Sequence, residues 1–300
     1  SVQMVDLSNN PIVAFIEGGV VVAEFLICIT FCTILTSFIQ STAWETHLPD
    51  ILQHVVAVIN WSMSSLLVLI WITCRYLSYI KSPKEPMPPW FGLSLKRFFQ
   101  PSKTSLFISF LLVLEFIVTI YWTSLSGDEP ELEFDMFIKG NITYTFSELY
   151  KLPFSQLMIL LDWNSMFRLT LLTPLVEEYI FRGVLFSIVL GRTKRMNWIS
   201  ILIPNIIFGL FHLVNVPSTR FSIVYIFLQI FMGLLVGTFY TVHLIYSQSL
   251  CETIMLHLVN NFLSGMLPRN NSFTEIMSST FFIQLIYTIG FYFTIVFLES

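Results

Sequence analysis

The chain has 300 residues, of which 55% are hydrophobic and only 11% are charged, with a net charge of −4 and a mean hydropathy of +0.76. Soluble globular proteins carry about 25% charged residues, so this composition indicates lipid as the solvent and excludes a soluble multidomain protein. The small negative net charge argues against a nucleic-acid partner.

A helix needs about 20 apolar residues to span a bilayer, and apolar runs of this kind occur eight times along the chain. The boundary between the sixth and seventh runs is marked only by Ser247, Gln248 and Ser249. The predicted fold class is all-α, a polytopic integral membrane protein with about eight transmembrane helices. In chain order the predicted spans are 11–40, 51–80, 103–126, 166–190, 199–216, 221–247, 248–267 and 279–299.

The charges of the connecting loops predict an orientation, because basic loops stay on the cytoplasmic side. Segment 81–103 carries five basic residues and one acid, and loop 191–198 carries three basic residues and no acid. Loop 127–165 is the opposite, with seven acids and two lysines. We therefore expect the two basic loops in the cytoplasm and the acidic loop outside. With eight spans, both termini are then cytoplasmic.

Three polar patterns lie inside the predicted spans of the second half of the chain. Ionisable side chains at membrane depth are costly, so their presence there indicates a functional site. The patterns are Glu177-Glu178-x-x-x-Arg182, Phe208-x-x-x-His212 and His257-x-x-x-Asn261.

The two glutamates of the first pattern are predicted to do different work. Glu178 and Arg182 are four residues apart, in the favourable order for a helical ion pair, and pairing offsets much of the cost of burying both charges. We interpret these two as structural support. Glu177 projects about 100° away from Glu178 and is not needed by the Glu178–Arg182 pair. We therefore predict that Glu177 is a general base. The alternative is that all three residues form one ion cluster that locks helices together.

The histidines of the other two patterns reach comparable depths. At 1.5 Å per residue, Glu177 and His212 each lie about 20 Å from the cytoplasmic side, and His257 about 14 Å. Glu177 and His212 could therefore meet across adjacent helices. Asn260 competes with Asn261 as the partner of His257. We interpret the remaining histidines as structural or interfacial.

These residue types fit the hydrolysis of a peptide bond. Glu177 can take a proton from water that His212 helps to hold, and His257 and Asn261 can donate hydrogen bonds to the oxyanion. No serine or cysteine is convincingly placed beside a histidine in these patterns, which argues against an acyl-enzyme. Glu177, His212 and His257 could instead form a zinc site with an open fourth position. Because no HExxH helix is present, we favour the metal-free mechanism, with no cofactor required and zinc as the alternative.

The ordered trio resembles the CPBP family, also called the Abi or Rce1-like family, of intramembrane CAAX proteases and bacteriocin-processing enzymes. The family pattern is EExxxR, FxxxH and HxxxN/D in that order, and the resemblance covers roughly residues 166–265. It implies that Glu177 is the catalytic base and that His212 positions the attacking water. It also implies an oxyanion hole from His257 and Asn261. Glu178, Arg182 and the Phe208 of the second pattern would support the site.

The resemblance implies an intramembrane endopeptidase acting on a lipidated or membrane-bound protein, such as one with a prenylated CaaX tail. Its location would be a bacterial cytoplasmic membrane, or the endoplasmic reticulum of a eukaryote.

Residues 1–150 would hold three transmembrane helices, a Pro-rich cytoplasmic connector and the start of the acidic outer loop, and residues 151–300 would hold the catalytic core. One alternative is a catalytically inactive scaffold or immunity protein of the same family. Another is a small transporter with a proton site at Glu177, which the lack of repeat symmetry disfavours.

Overall fold

A computed structural model describes ten segments of the chain: residues 11–40, 50–79, 99–125, 131–132, 144–145, 151–153, 155–156, 160–193, 198–215 and 223–265. Their helices are α1 (Pro11–Gln40), α2 (Asp50–Tyr79), α3 (Lys103–Leu125), α4 (Trp163–Phe167), α5 (Thr173–Glu178), α6 (Phe186–Thr193), α7 (Trp198–Phe211), α8 (Ile223–Ser247) and α9 (Leu250–Ser264). Two π-helical segments, π1 (Arg168–Leu172) and π2 (Tyr179–Leu185), flank α5, and a 3₁₀ turn (His212–Asn215) follows α7.

The described residues confirm the helical fold class. Their one strand pair joins β1 (Glu131–Leu132) to β2 (Tyr144–Thr145), antiparallel, with Glu131 opposite Thr145. The first seven predicted spans coincide with helical segments, as their apolar composition predicted. The eighth predicted span, 279–299, lies outside the described residues.

Two helical stretches among the described residues are long and apolar enough to cross a bilayer, Pro11–Cys28 of α1 and Ile226–Ser247 of α8. Three shorter apolar stretches are Val58–Cys74, Lys103–Leu114 and Trp198–Val214. This finding rests on length and composition, so the number of spans and the orientation of the loops stay predictions. Most of the basic connector and of the acidic loop lies outside the described residues.

The chain divides into two compact units: Ser1–Leu95 with Leu175–Thr253, and Lys96–Pro174 with Ile254–Ser300. In the first unit, α1 packs against α2, α6 and α7, and α7 packs against α8. All seven residues of π2 are buried there. In the second unit, α4 leads directly into π1 after an Asp162 cap that accepts from the backbone N–H groups of Asn164 and Ser165. The predicted division at residue 150 is one of topology and function, and it stays a prediction.

An ion pair joins α6 to α1 in the first unit. Arg192 donates to both carboxylate oxygens of Glu17, with Nε–Oε2 and Nη2–Oε1 distances of 2.8 and 2.6 Å. This pairing is not evident from local sequence, because Arg192 lies 175 positions from Glu17.

The turn between α8 and α9 is formed by the three residues that marked the predicted boundary. Gln248 has a positive φ of 50°, and the Ser249 hydroxyl accepts from the backbone N–H of Glu252 at the start of α9. The side chains of His243 and Glu252 meet behind the turn with an Nε2–Oε2 distance of 3.7 Å, and neither is exposed. The structural or interfacial role of His243 stays a prediction.

Candidate active site

Along the chain, a π-helical segment lies on each side of the helix that carries Glu177 and Glu178. In π1 the Thr173 N–H donates to the carbonyl of Arg168, and at the end of π2 the Phe186 N–H donates to that of Phe181. Pro174 follows π1 and has no N–H to continue an α-helical ladder, which favours a local change of winding. Short π segments are rare and frequently occur at functional sites. The two glutamates are the last residues of α5, between these segments.

Glu178 and Arg182 form the predicted ion pair, which is confirmed. Arg182 Nη1 lies 2.9 Å from Glu178 Oε1, and neither side chain is exposed. Arg182 Nη2 also donates to Asn205 Oδ1 at 3.3 Å. The guanidinium carbon lies 4.3 Å from the ring centre of Phe208 and 5.6 Å from that of Tyr240. The positive charge is therefore held by a carboxylate, an amide oxygen and two ring faces, which together offset its desolvation.

Phe208 connects the first two patterns. Its ring meets that of Phe181 edge to face, with centroids 4.9 Å apart, and that of His212 at 5.4 Å. Phe211 packs against Phe181 at 5.5 Å and against Phe25 of α1 at 5.6 Å. The Phe208-x-x-x-His212 spacing thus places one face of α7 against π2, with the imidazole next to the ring that covers Arg182.

Glu177 and His212 lie in a different environment from the buried pair. Both side chains are half-buried, whereas Glu178 is fully buried. A group that exchanges a proton with water must lie at least partly outside the packed interior, and Glu177 does so whereas Glu178 does not. This difference agrees with the separate roles predicted for the two acids, and the catalytic role of Glu177 stays a prediction.

The third pattern belongs to the second compact unit. His257 is buried, with 6% of its surface exposed, and Asn261 is half-buried. Asn261 Nδ2 donates to the carbonyl of Leu169 at 3.2 Å, within π1. An amide group carries two N–H donors, so this bond uses one of them. The predicted convergence of these residues with Glu177 and His212 stays a prediction.

Within each compact unit, the described residues include no group of three or more His, Cys, Asp and Glu side chains that could hold a metal ion. The zinc set of Glu177, His212 and His257 draws on both units, so it too stays a prediction.

Residues 159–263 match the family model described as type II CAAX prenyl endopeptidase, Rce1-like. The chain contains an Rce1-like domain. The match includes all three polar patterns and confirms the resemblance inferred from them. That family consists of integral membrane proteases. No curated protein and no solved structure matches the chain significantly.

The Rce1-like domain contains a polar link that the patterns did not reveal. Asn205 Nδ2 donates to the carbonyl of Ile201 at 2.7 Å and to Thr241 Oγ1 of α8 at 3.0 Å. Thr241 also donates to the carbonyl of Gly237 at 3.1 Å. Asn205 and Thr241 are both fully buried. In the sequence, the one signal for this link was an asparagine inside an apolar helix, three residues before Phe208. The partners of Asn205 became evident only from the packing of α7 on α8.

Replacing Thr241 with Val should destabilise the Rce1-like domain by about 1–2 kcal/mol, because a buried hydrogen-bonded hydroxyl is lost and Asn205 loses an acceptor. Thermal unfolding in detergent micelles would measure the effect. Thr238→Val is the matched control, since the Thr238 hydroxyl donates only to the Leu234 carbonyl of its own helix among the contacts seen. Equal shifts for the two variants would contradict a specific Asn205–Thr241 link.

Proposed function

We propose that this protein is an intramembrane endopeptidase that hydrolyses a peptide bond in the tail of a membrane-associated substrate, a prenylated CaaX protein. The observation that carries this proposal is the Rce1-like domain at residues 159–263, which contains all three polar patterns in the family order. The half-buried position of Glu177 beside the fully buried Glu178–Arg182 pair supports it.

In the proposed reaction, Glu177 takes a proton from a water molecule that His212 helps to orient, and the resulting hydroxide attacks the scissile carbonyl carbon. The carbonyl oxygen becomes an oxyanion, which accepts hydrogen bonds from His257 and from the second N–H of the Asn261 amide. Collapse of this intermediate breaks the C–N bond, and protonated Glu177 returns its proton to the leaving amine. The glutamate is thereby regenerated, and no covalent enzyme intermediate forms.

The buried groups around Arg182 would support this chemistry without touching the substrate. Glu178 offsets the charge of Arg182, and the same guanidinium packs on Phe208, which contacts His212. We propose that this arrangement holds the imidazole in one orientation, because catalytic geometry tolerates little displacement.

We further propose eight membrane-spanning helices with both termini in the cytoplasm. The apolar stretches of α1 and α8 support this topology. A multi-pass enzyme of this kind would receive its substrate from within the bilayer, since a prenyl chain anchors the tail of the substrate there.

Purified protein in liposomes should release a tripeptide from a peptide that carries a farnesylated CaaX tail, and mass spectrometry would identify the products. The same peptide without its prenyl group is the control and should be cleaved far more slowly. Under the metal-free mechanism, a chelator leaves the rate unchanged and metal analysis finds less than one zinc per protein. Failure to cleave any prenylated peptide would contradict the proposed substrate class, and loss of activity with the chelator would favour zinc.

A further inference from the structure

Two glycines of α8 lie against side chains of the first two polar patterns. Gly233 and Gly237 are four residues apart, on the same face of the helix, and both are buried. Small residues at this spacing allow two helix backbones to approach closely. Here the neighbouring helix is α7 of the same chain, which packs against α8.

Gly233 supports the imidazole of His212. A Cβ atom placed on Gly233 would lie 3.0 Å from His212 Cδ2 and 3.2 Å from His212 Nε2, which is closer than ordinary van der Waals contact. It would also lie 3.3 Å from the Cα of Gly209 on α7. A Cβ on Gly209 would in turn lie 2.7 Å from the carbonyl oxygen of Ile230. The two helices therefore touch backbone to backbone at the level of the histidine.

Gly237 lies one turn further along α8, against Arg182, Asn205 and Phe208. A Cβ atom there would lie 2.7 Å from Arg182 Nη2, 2.7 Å from Asn205 Oδ1 and 3.0 Å from Phe208 Cδ1. The hydrogen bond between the guanidinium and the Asn205 amide thus occupies the space that any larger residue at 237 would need.

We propose that Gly233 is a positioning residue, which sets the imidazole of His212. The expected effect on catalysis rests on the proposed function, whereas the position of the His212 imidazole is independent of it. The same glycine spacing often mediates the pairing of separate transmembrane chains. In this protein both glycines are covered by side chains of their own chain, so that use is excluded.

The kinetic test compares three glycine-to-alanine variants in the liposome assay. Gly233→Ala should lower kcat with little change in KM, because the imidazole of His212 would have to move by a few tenths of an ångström. The loss should be smaller than the roughly 100-fold that a displacement of about 1 Å in a catalytic group costs. Gly18→Ala is the matched control for crowding: its Cβ would lie 2.7 Å from Leu185 Cδ1 and 2.9 Å from Ile207 Cδ1, both ends of flexible apolar side chains. Gly191→Ala adds a methyl group with nothing within 4 Å. Both controls should keep kcat, and an equal loss in Gly18→Ala would overturn the proposal.

A spectroscopic test separates this proposal from the proposed function. The protein has five histidines, and the ring resonance of His212 can be assigned by its loss in His212→Gln. In detergent micelles, Gly233→Ala should shift this resonance and leave the other four in place, whereas Gly18→Ala should not shift it. An unshifted His212 resonance in folded Gly233→Ala would overturn the proposal, whether or not any peptide is cleaved.

The unsubstituted protein provides a measurement that does not depend on the folding of a variant. With labelled histidine and glycine, we expect a nuclear Overhauser effect between the Hδ2 proton of His212 and an Hα proton of Gly233. Its presence supports the proposal even where Gly233→Ala fails to fold, and its absence overturns it.

Discussion

Replacing Glu177 with Gln should abolish cleavage of a prenylated CaaX peptide while the protein remains folded in the membrane. Glutamine keeps the size and the hydrogen-bonding reach of the side chain but cannot take a proton from water. Loss of a general base alone costs about 10²–10⁴-fold in rate. The effect should appear in kcat with KM little changed, because the interaction belongs to the transition state.

The control is Glu24→Gln, the same substitution at a half-buried acid of α1 outside the Rce1-like domain. Thermal unfolding of each variant in detergent would show that the two proteins are equally folded. Full activity in Glu177→Gln would remove this residue from the reaction. Equal loss in both variants would point to a general effect of removing a membrane acid.

Local patterns in the sequence were sufficient where the interacting groups lie on one helix. The Glu178–Arg182 pair was predictable because a spacing of four residues brings side chains together on one helical face, and the structure has it at 2.9 Å. The helices themselves followed from the apolar runs. The distinction between Glu177 and Glu178 was also available, since adjacent residues cannot share a face.

Tertiary contacts were beyond the sequence because nothing local determines them. The spacing in Phe208-x-x-x-His212 indicated a shared face, but the stacking of Phe208 on Arg182 requires the packing of α7 against π2. The partner of Glu17, Arg192, lies 175 positions away. Pro174 lies at the second position of α5, and the structure has π segments on both sides of that helix. A proline indicates a lost backbone donor, and the winding that replaces it depends on the surrounding helices.

Replacing Arg182 with Met should lower the free energy of unfolding of the protein by about 3–5 kcal/mol. The substitution would leave the carboxylate of Glu178 in a fully buried position without the cation that offsets its desolvation, and removal of one member of a buried pair typically costs this much. Asn205 would lose its guanidinium donor as well. Thermal and denaturant unfolding in detergent micelles would measure the loss, and little or no loss would contradict a buried ion pair at this site.

The double variant Glu178→Gln with Arg182→Met tests whether the uncompensated charge is the cause. Replacing a buried ion pair with neutral side chains of similar volume is often close to neutral for stability, so the double variant should recover most of what Arg182→Met loses. Since Glu177 is intact, the recovered protein should also cleave the prenylated peptide, at a rate limited by the lost contact between Arg182 and Phe208. If the double variant were as unstable as Arg182→Met, the packing of the long side chain between Phe208 and Tyr240 would be the larger contribution. If it were stable but inactive, the guanidinium would be required for activity beyond its contribution to stability, either in the reaction itself or to orient His212 through Phe208.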